Sequence, residues 1–314
     1  MRKFEVVVVT GGLGFIGKHF VRRCLEMGCF VKNFDKVSYA ADLKAKAEFE
    51  AHPNYRLFPL DIAKVDFLPE SDLIINFAAE SHVDNAITSN RRFVETNVLG
   101  TQNLLELVRQ KHVNERPLFI HISTDEVYGD ISEGRHSEAD MLIPSNPYSA
   151  TKAAADMLVL SWGRTYKLPW CIVRPTNNYG EHQYPEKLIP KSTWRIKRGL
   201  AATMHGDGSY VRSWLHAEDT VDALFAIVDG GVRNTIYNVG SNIELRNIEV
   251  LQAIAKELDV PETKAWVSSV DRSGQDVRYS LDDTKVRALG WTPRRKFFDE
   301  LPKIIRSIDV TRFA

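Results

Sequence analysis

The chain has 314 residues, 44% hydrophobic and 26% charged, a size and composition that support one large α/β domain or two intimately joined lobes around a well-buried core. Lys+Arg and Asp+Glu both number 41, which excludes a bulk basic field for nucleic acid or anionic lipid, so an anionic ligand needs a local basic site. The three cysteines, Cys24, Cys29 and Cys171, match no metal spacing and point to a reduced, cytoplasmic setting.

The apolar run Val6-Val7-Val8-Val9 after Met1-Arg2-Lys3 is too short for a signal peptide or a membrane span. Four consecutive valines suit a central parallel strand buried on both faces. Thr10-Gly11-Gly12-Leu13-Gly14-Phe15-Ile16-Gly17 follows at once, then a helical pattern through Phe20, Val21, Cys24 and Leu25 to Gly28. A second apolar strand, Cys29 to Phe34, ends at Asp35. Gly11 allows the tight turn, Gly14 lets the backbone approach a pyrophosphate, and Gly17 permits close helix packing. The phosphates then sit near Phe15 and Ile16, where free N–H groups and the helix dipole favour negative charge. Asp35, followed by Lys36, lies where an acid accepts hydrogen bonds from the adenosine ribose. An acid there repels a 2′-phosphate, so the dinucleotide expected is NAD rather than NADP.

The α/β rhythm continues. Tyr55 to Leu60 reads as a strand ending at Asp61-Ile62, an adenine contact, and Leu73 to Phe77 as another, followed by Ala78-Ala79-Glu80-Ser81-His82. The small residues let the cofactor lie close to the backbone. Asn97 to Val108 is a helix, and Leu118 to Ile122 a strand ending at Ser123. Alternating strands and helices predict a doubly wound parallel sheet of Rossmann type, with ligands at the strand C-terminal ends.

Two segments carry reactive groups: Ser123-Thr124-Asp125-Glu126 at a strand end, and Pro147-Tyr148-Ser149-Ala150-Thr151-Lys152 opening a helix. Tyr148 and Lys152 share a helix face. An ammonium nearby favours a phenolate, which makes Tyr148 a base for a hydroxyl proton. Lys152 can also hold the nicotinamide ribose, and Thr124 or Ser123 can bond the same sugar hydroxyl. The adjacent carboxylates add elimination chemistry. Once a sugar C4 is a ketone, its C5 hydrogen is acidic: one carboxylate can remove it while a carboxylic acid protonates the departing C6 hydroxyl.

With these stretches, and with Phe77 to Asp84, Asn177-Asn178-Tyr179-Gly180, Tyr184 to Pro190, Gly206-Asp207-Gly208, Arg212 and Asp271 to Tyr279, the chain resembles the dTDP-glucose 4,6-dehydratases of the extended short-chain dehydrogenase/reductase family. The resemblance covers nearly the whole chain. It implies Asp125 as acid at C6, Glu126 as base at C5, Tyr148 with Lys152 for the C4 redox step, and Thr124 assisting. It also implies a nucleotide-sugar site from Ser81, Asn177, Glu186, Lys187, Leu188, Arg212, Asn247 and Arg278, the two arginines suiting the diphosphate. The departures fall on the nucleotide side. His205 stands where the family has a tyrosine against the base, after Thr203-Met204, and Ser213, His216 and Gln275 replace an Asp, a Tyr and a His. The substrate expected is an NDP-hexose, with dTDP-glucose and UDP-glucose foremost and the base left open. Other readings on this scaffold are a 4-epimerase, a decarboxylase or a non-catalytic NAD-binding protein; Asp125-Glu126 speaks against the epimerase.

Residues 1–173 are expected to form the NAD-binding lobe, with returns to the sheet near 212–240, including a strand at 236–239, and residues 174–314 mainly the smaller sugar-nucleotide lobe. Helices near 97–113 and 148–166 carry apolar residues on more than one face, and the family pairs them into a four-helix dimer interface, so a homodimer is expected. No histidine pair has metal-ligand spacing, so no metal is expected.

Overall fold

The computed structural model describes residues 4–311. The strands are β1 (Val6–Thr10), β2 (Phe30–Phe34), β3 (Tyr55–Phe58), β4 (Leu73–Asn76), β5 (Leu118–Ile122), β6 (Trp170–Pro175), β7 (Asn177–Tyr179), β8 (Ala202–His205), β9 (Val211–His216), β10 (Thr235–Val239), β11 (Glu244–Arg246) and β12 (Trp266–Ser269). Seven of them form one sheet in the order β3-β2-β1-β4-β5-β6-β10, with every pairing parallel. This is the doubly wound α/β fold expected, and the returning strand is β10.

Parallel pairing explains the apolar runs. β4, β5 and β6 are buried at every residue, because helices cover both faces. Helices Phe15–Glu26 and Ala217–Gly230 pack together on one face around Phe20, Val21, Leu224 and Ile227. Helices Thr101–Gln110 and Pro147–Tyr166 pack together on the other, around Leu104, Leu105, Val108 and Val159. Gly163 admits the Trp170 indole, which a Cβ there would strike.

A separate apolar cluster joins helices Leu188–Lys197, Asn247–Glu257 and Phe297–Ser307 around Tyr179, Met204, Trp214 and Phe297. Two small sheets accompany it, β11-β9-β7 and β12-β8. The chain passes from β9 through Ala217–Gly230 back to β10, so this C-terminal part is interleaved with the main sheet.

The predicted helix at 97–108 is two elements: a π-helix, Val94–Gly100, running into an α-helix, Thr101–Gln110. Gly100 lies against Ile62, whose Cδ1 would be 2.7 Å from a Cβ there. The strands expected to reach Leu60 and Phe77 stop at Phe58 and Asn76. Among the described residues no helix is long and apolar enough to cross a membrane.

Candidate active site

Because the seven strands run one way, the loops after β1, β2, β4, β5 and β6 open at a single edge. One cleft there is lined by Gly11, Gly14, Phe15, Ile16 and Gly17, by Asp35, Lys36, Asp61 and Ile62, by Ala78, Ala79 and Ser81, and by Thr124, Asp125, Glu126, Tyr148, Lys152, Asn177, Glu186 and Lys187. The structure thus brings together every expected cofactor and catalytic residue. Leu188, His205, Arg212, Asn247 and Arg278 lie outside the cleft lining. Arg278 pairs with Glu244 at 2.8 and 3.1 Å. Arg212 donates to the carbonyls of Val211 and Asp276 and lies 4.5 Å from the Tyr279 ring centre. His205 faces the Val270 carbonyl at 3.3 Å, and Asn247 opens the helix that Leu251 and Ile254 bury.

The glycine loop fits a dinucleotide. A Cβ on Gly11, whose φ is +68°, would stand 2.7 Å from the Ala78 nitrogen, and one on Gly17 would run into the Gly11 carbonyl. Gly14 caps the helix with extended backbone and no side-chain bond, leaving the first-turn N–H groups to an anion. Asp35 accepts from the backbone N–H groups of Leu13 (2.9 Å) and Val37 (2.8 Å), and burial raises its pKa. Lys36 turns from it to Glu80, at 2.7 Å. Gly12 was missed as a packing residue: its N–H donates to Asn33, and a Cβ would crowd that side chain.

Gln183, Tyr184, Glu186 and Lys187, in the segment 182–187, form part of the cleft wall. Lys18, buried, bonds Asp42 and the His182 carbonyl. Tyr39 donates to Glu186 at 3.0 Å, and its ring meets Tyr184 edge to face. Lys187 reaches the Ser81 carbonyl at 2.8 Å. The glycine helix and the loops after β2 and β4 are therefore tied to one strap.

At the far end, Thr124 caps the short turn Asp125–Val127. Asp125 is buried and accepts from Thr176 (2.7 Å) and Thr124 (3.1 Å). Burial, and then the Glu126 charge, push its pKa up to about 7. Asn146 donates to Glu126 at 3.3 Å and, with Ser149, forms the capping box of the Pro147–Tyr166 helix. Tyr148 and Lys152 stand one turn apart on that helix, as expected. Lys152 donates to the Ile122 carbonyl at 2.7 Å, and burial lowers its pKa to about 8. The expected depression of the Tyr148 phenol is not what these protein groups produce. Burial and the Glu126 and Asp125 charges raise it, against a Thr124 hydrogen bond.

Thr176, Asn146 and Asn97 were not foreseen. Thr176 had a signal, a hydroxyl just past a strand end, and Asn146 had another, an Asn before Pro with Ser three residues on. Asn97 bonds both the N–H and the carbonyl of Glu80 and also reaches Thr151, coupling the loop after β4 to the Tyr148 helix. Only the folded chain shows that coupling. Among the described residues the buried Asn177 side-chain nitrogen has no hydrogen-bond partner, which leaves it able to donate to a ligand.

Fold and site together define a dinucleotide-binding α/β enzyme of the extended short-chain dehydrogenase/reductase class. The chain belongs to the family described as GDP-mannose 4,6 dehydratase, whose model matches residues 8–304. It is 44% identical to a low-salt glycan biosynthesis protein of Haloferax volcanii, over 94% of this chain and 96% of that one. It is 41% identical to a dTDP-glucose 4,6-dehydratase of Streptomyces niveus, over 95% and 91%. A dTDP-glucose 4,6-dehydratase of Streptomyces venezuelae, crystallised with NAD, superposes with a TM-score of 0.90 at 38% identity, covering 96% of each chain.

Proposed function

We propose that the protein is an NAD-dependent nucleotide-sugar 4,6-dehydratase that converts an NDP-hexose, dTDP-glucose or UDP-glucose, into the NDP-4-keto-6-deoxyhexose. The observation that carries this reading is the buried carboxyl of Asp125, with a pKa of about 7, beside Glu126 and within the charge field of Tyr148. Plain alcohol oxidation needs no such pair; elimination needs an acid and a base side by side.

The cleft residues would hold NAD, which when bound would supply the acceptance of a hydride from C4 and its return to C6. Gly11, Gly14, Phe15, Ile16 and Gly17 hold its pyrophosphate, Asp35 and Lys36 its adenosine ribose, and Asp61 and Ile62 its adenine. Ala78, Ala79 and Ser81 flank its nicotinamide half, where Lys152 holds the ribose. Tyr148 takes the C4 hydroxyl proton, with Thr124 on the same oxygen. Lys152, one helical turn from Tyr148, favours its phenolate once substrate and cofactor fill the cleft. Glu126, oriented by Asn146, removes the C5 proton. Asp125 gives its proton to the C6 hydroxyl as water leaves, and Thr176 and Thr124 keep the acid in place.

Asn177, Glu186 and Lys187 reach the substrate from the cleft wall. Ser81, Leu188, His205, Arg212, Asn247 and Arg278 complete the nucleotide-sugar site; Arg278 engages a diphosphate by exchanging Glu244 for it. Residues 1–173 serve the cofactor, with the return near 212–240, and residues 174–314 mainly the sugar nucleotide. The homodimer pairs the π-helix region and the Pro147–Tyr166 helix, on which Val94, Leu99, Met157 and Tyr166 are exposed. A cytoplasmic setting accords with three buried cysteines that form no disulfide among the described residues.

The test is incubation with dTDP-, UDP-, CDP- and GDP-hexoses, reading the alkali-induced absorbance of a 4-keto-6-deoxy product without added reductant. Product that retains a C4 hydroxyl would assign epimerisation instead, and no turnover on any carrier would leave a binding protein.

A further inference from the structure

The floor beneath Lys152 holds a buried polar ladder for which the reaction as written has no use. Register places Thr10, Asn76 and His121 side by side across β1, β4 and β5. The Thr10 hydroxyl donates to Asn76 Oδ1 at 2.6 Å, and Asn76 Nδ2 lies 3.1 Å from His121 Nδ1. His121 Nε2 lies 3.4 Å from Lys152 Nζ and 3.7 Å from Asp156 Oδ1. Asp156 takes Arg174 Nε at 2.9 Å, and Arg174 donates to the Tyr128 hydroxyl at 2.6 Å, which donates to Asn238 on β10. His121, Asp156 and Arg174 are all essentially inaccessible to solvent.

Such a set is costly unless it is paired and useful. Arg174 pairs with the Asp156 carboxylate, whose charge also acts on Lys152 one helical turn away. The ring between them is neutral: burial, then Lys152 and Arg174, hold the His121 pKa well below its ordinary value. Asn76, oriented by Thr10, assigns the single ring proton to Nε2. The charged groups around the pair can be named by element. Asp156 and Tyr148 come from the helix, His121 from β5 and Arg174 from β6, while Asp125 and Glu126 act on Tyr148 from the turn after β5. The π-helix and the helix after it contribute the neutral Asn97 and Thr101. Asp156 is thus the acid that opposes the discharge of Lys152 by burial.

We propose that Asp156, His121 and Arg174 are positioning residues for the redox pair: the Asp156 carboxylate, one helical turn from Lys152, keeps Lys152 an ammonium, while Arg174 and the Nε2–H side of the neutral His121 ring hold that carboxylate in place. The proposal rests on the assignment of Tyr148 and Lys152 to the C4 step. It places the control of that step on the side of Lys152 facing away from the substrate, on residues that touch neither sugar nor cofactor.

The experiment compares pH profiles of kcat and kcat/KM for the native holoenzyme, Asp156→Asn, and Asp156→Asn combined with Arg174→Gln, which removes both buried charges and spares the fold an unpaired guanidinium. The alkaline limb of kcat is expected to move down by about one pH unit or more in both variants, with activity recovering as pH falls. Native limbs with only a lowered Tm would overturn the proposal. Lys152→Met separates the two readings: native turnover in that variant would sink the redox assignment itself. Nitrogen-15 NMR of the native holoenzyme needs no substitution. It should find His121 neutral, with one proton on Nε2, from pH 5 to 9 (values of about these limits bracket an ordinary imidazole pKa of ~6.5); an imidazolium at neutral pH would also overturn the proposal.

Discussion

Asp125 keeps a proton near neutrality because it is enclosed and because Glu126 stands beside it. The linkage sign follows from a folded pKa above the unfolded one. The stability that the protonated carboxyl contributes is fully present below the ordinary carboxylate value, and is lost as pH rises through about 7. Asp125→Asn, which cannot ionise, should therefore raise Tm relative to the native protein at pH 8 more than at pH 5 (working values of about these sizes straddle the titration), as scanning calorimetry can check. The same substitution removes the acid and should lower kcat about 100- to 10,000-fold. Glu126→Gln should slow elimination by a similar factor while partial NAD reduction survives, visible as a rise in NADH absorbance on mixing. Turnover of that variant at the native rate would remove Glu126 from the role of base. The residue types for this chemistry were legible in the sequence, since Asp125-Glu126 and Tyr148-x-x-x-Lys152 stand at a strand end and a helix start. Their protonation was not. It depends on burial and on Thr176, which is distant in the chain.

In the proposed function, cofactor binding depends on the glycine loop and its helix. Gly17→Ala would drive a methyl into the Gly11 carbonyl. It should weaken NAD binding about tenfold or more, about 1.4 kcal/mol, by fluorescence titration. Gly28→Ala is the control: its φ of +79° strains any side chain but nothing lies within 4 Å of the new methyl. That variant should lose about 1 kcal/mol of stability with NAD affinity intact. Asn97→Ala should cost about 2 kcal/mol in denaturant unfolding, since it strands both backbone groups of Glu80. Elements with strong periodicity or a clear run were legible: β5 spans Leu118–Ile122 as the sequence pattern predicted. The π-helix was not, because its extra residue per turn leaves no separate mark on a short apolar pattern. Nor were β7 and β11, three residues each, too short for an alternation to declare itself.

At the scale of the whole molecule, one all-parallel sheet brings loops separated by more than a hundred positions to one edge, which is why an order of strands and helices sufficed to foresee the cleft. The nucleotide side was harder to read, since Arg212 and Arg278 are engaged by other groups of the fold and the linear sequence shows no such partners. Association is testable directly. Met157→Glu or Leu99→Glu, at exposed apolar positions of adjacent helices, should halve the mass measured by light scattering while leaving the monomer folded by circular dichroism. The strap at 182–187 bears on a different property. It is fastened to the glycine helix by Lys18, to the loop after β2 by Tyr39 and to the loop after β4 by Lys187. A redox partner that ends each cycle in the state in which it began has no chemical reason to exchange with its pool. Three fastenings beside the cleft are expected to slow its release relative to a turnover, which displacement of bound NAD followed by stopped-flow fluorescence checks. A cofactor so held would behave as a resident part of the enzyme, loaded once, and flux would follow the sugar nucleotide rather than the cell's balance of oxidised to reduced nicotinamide.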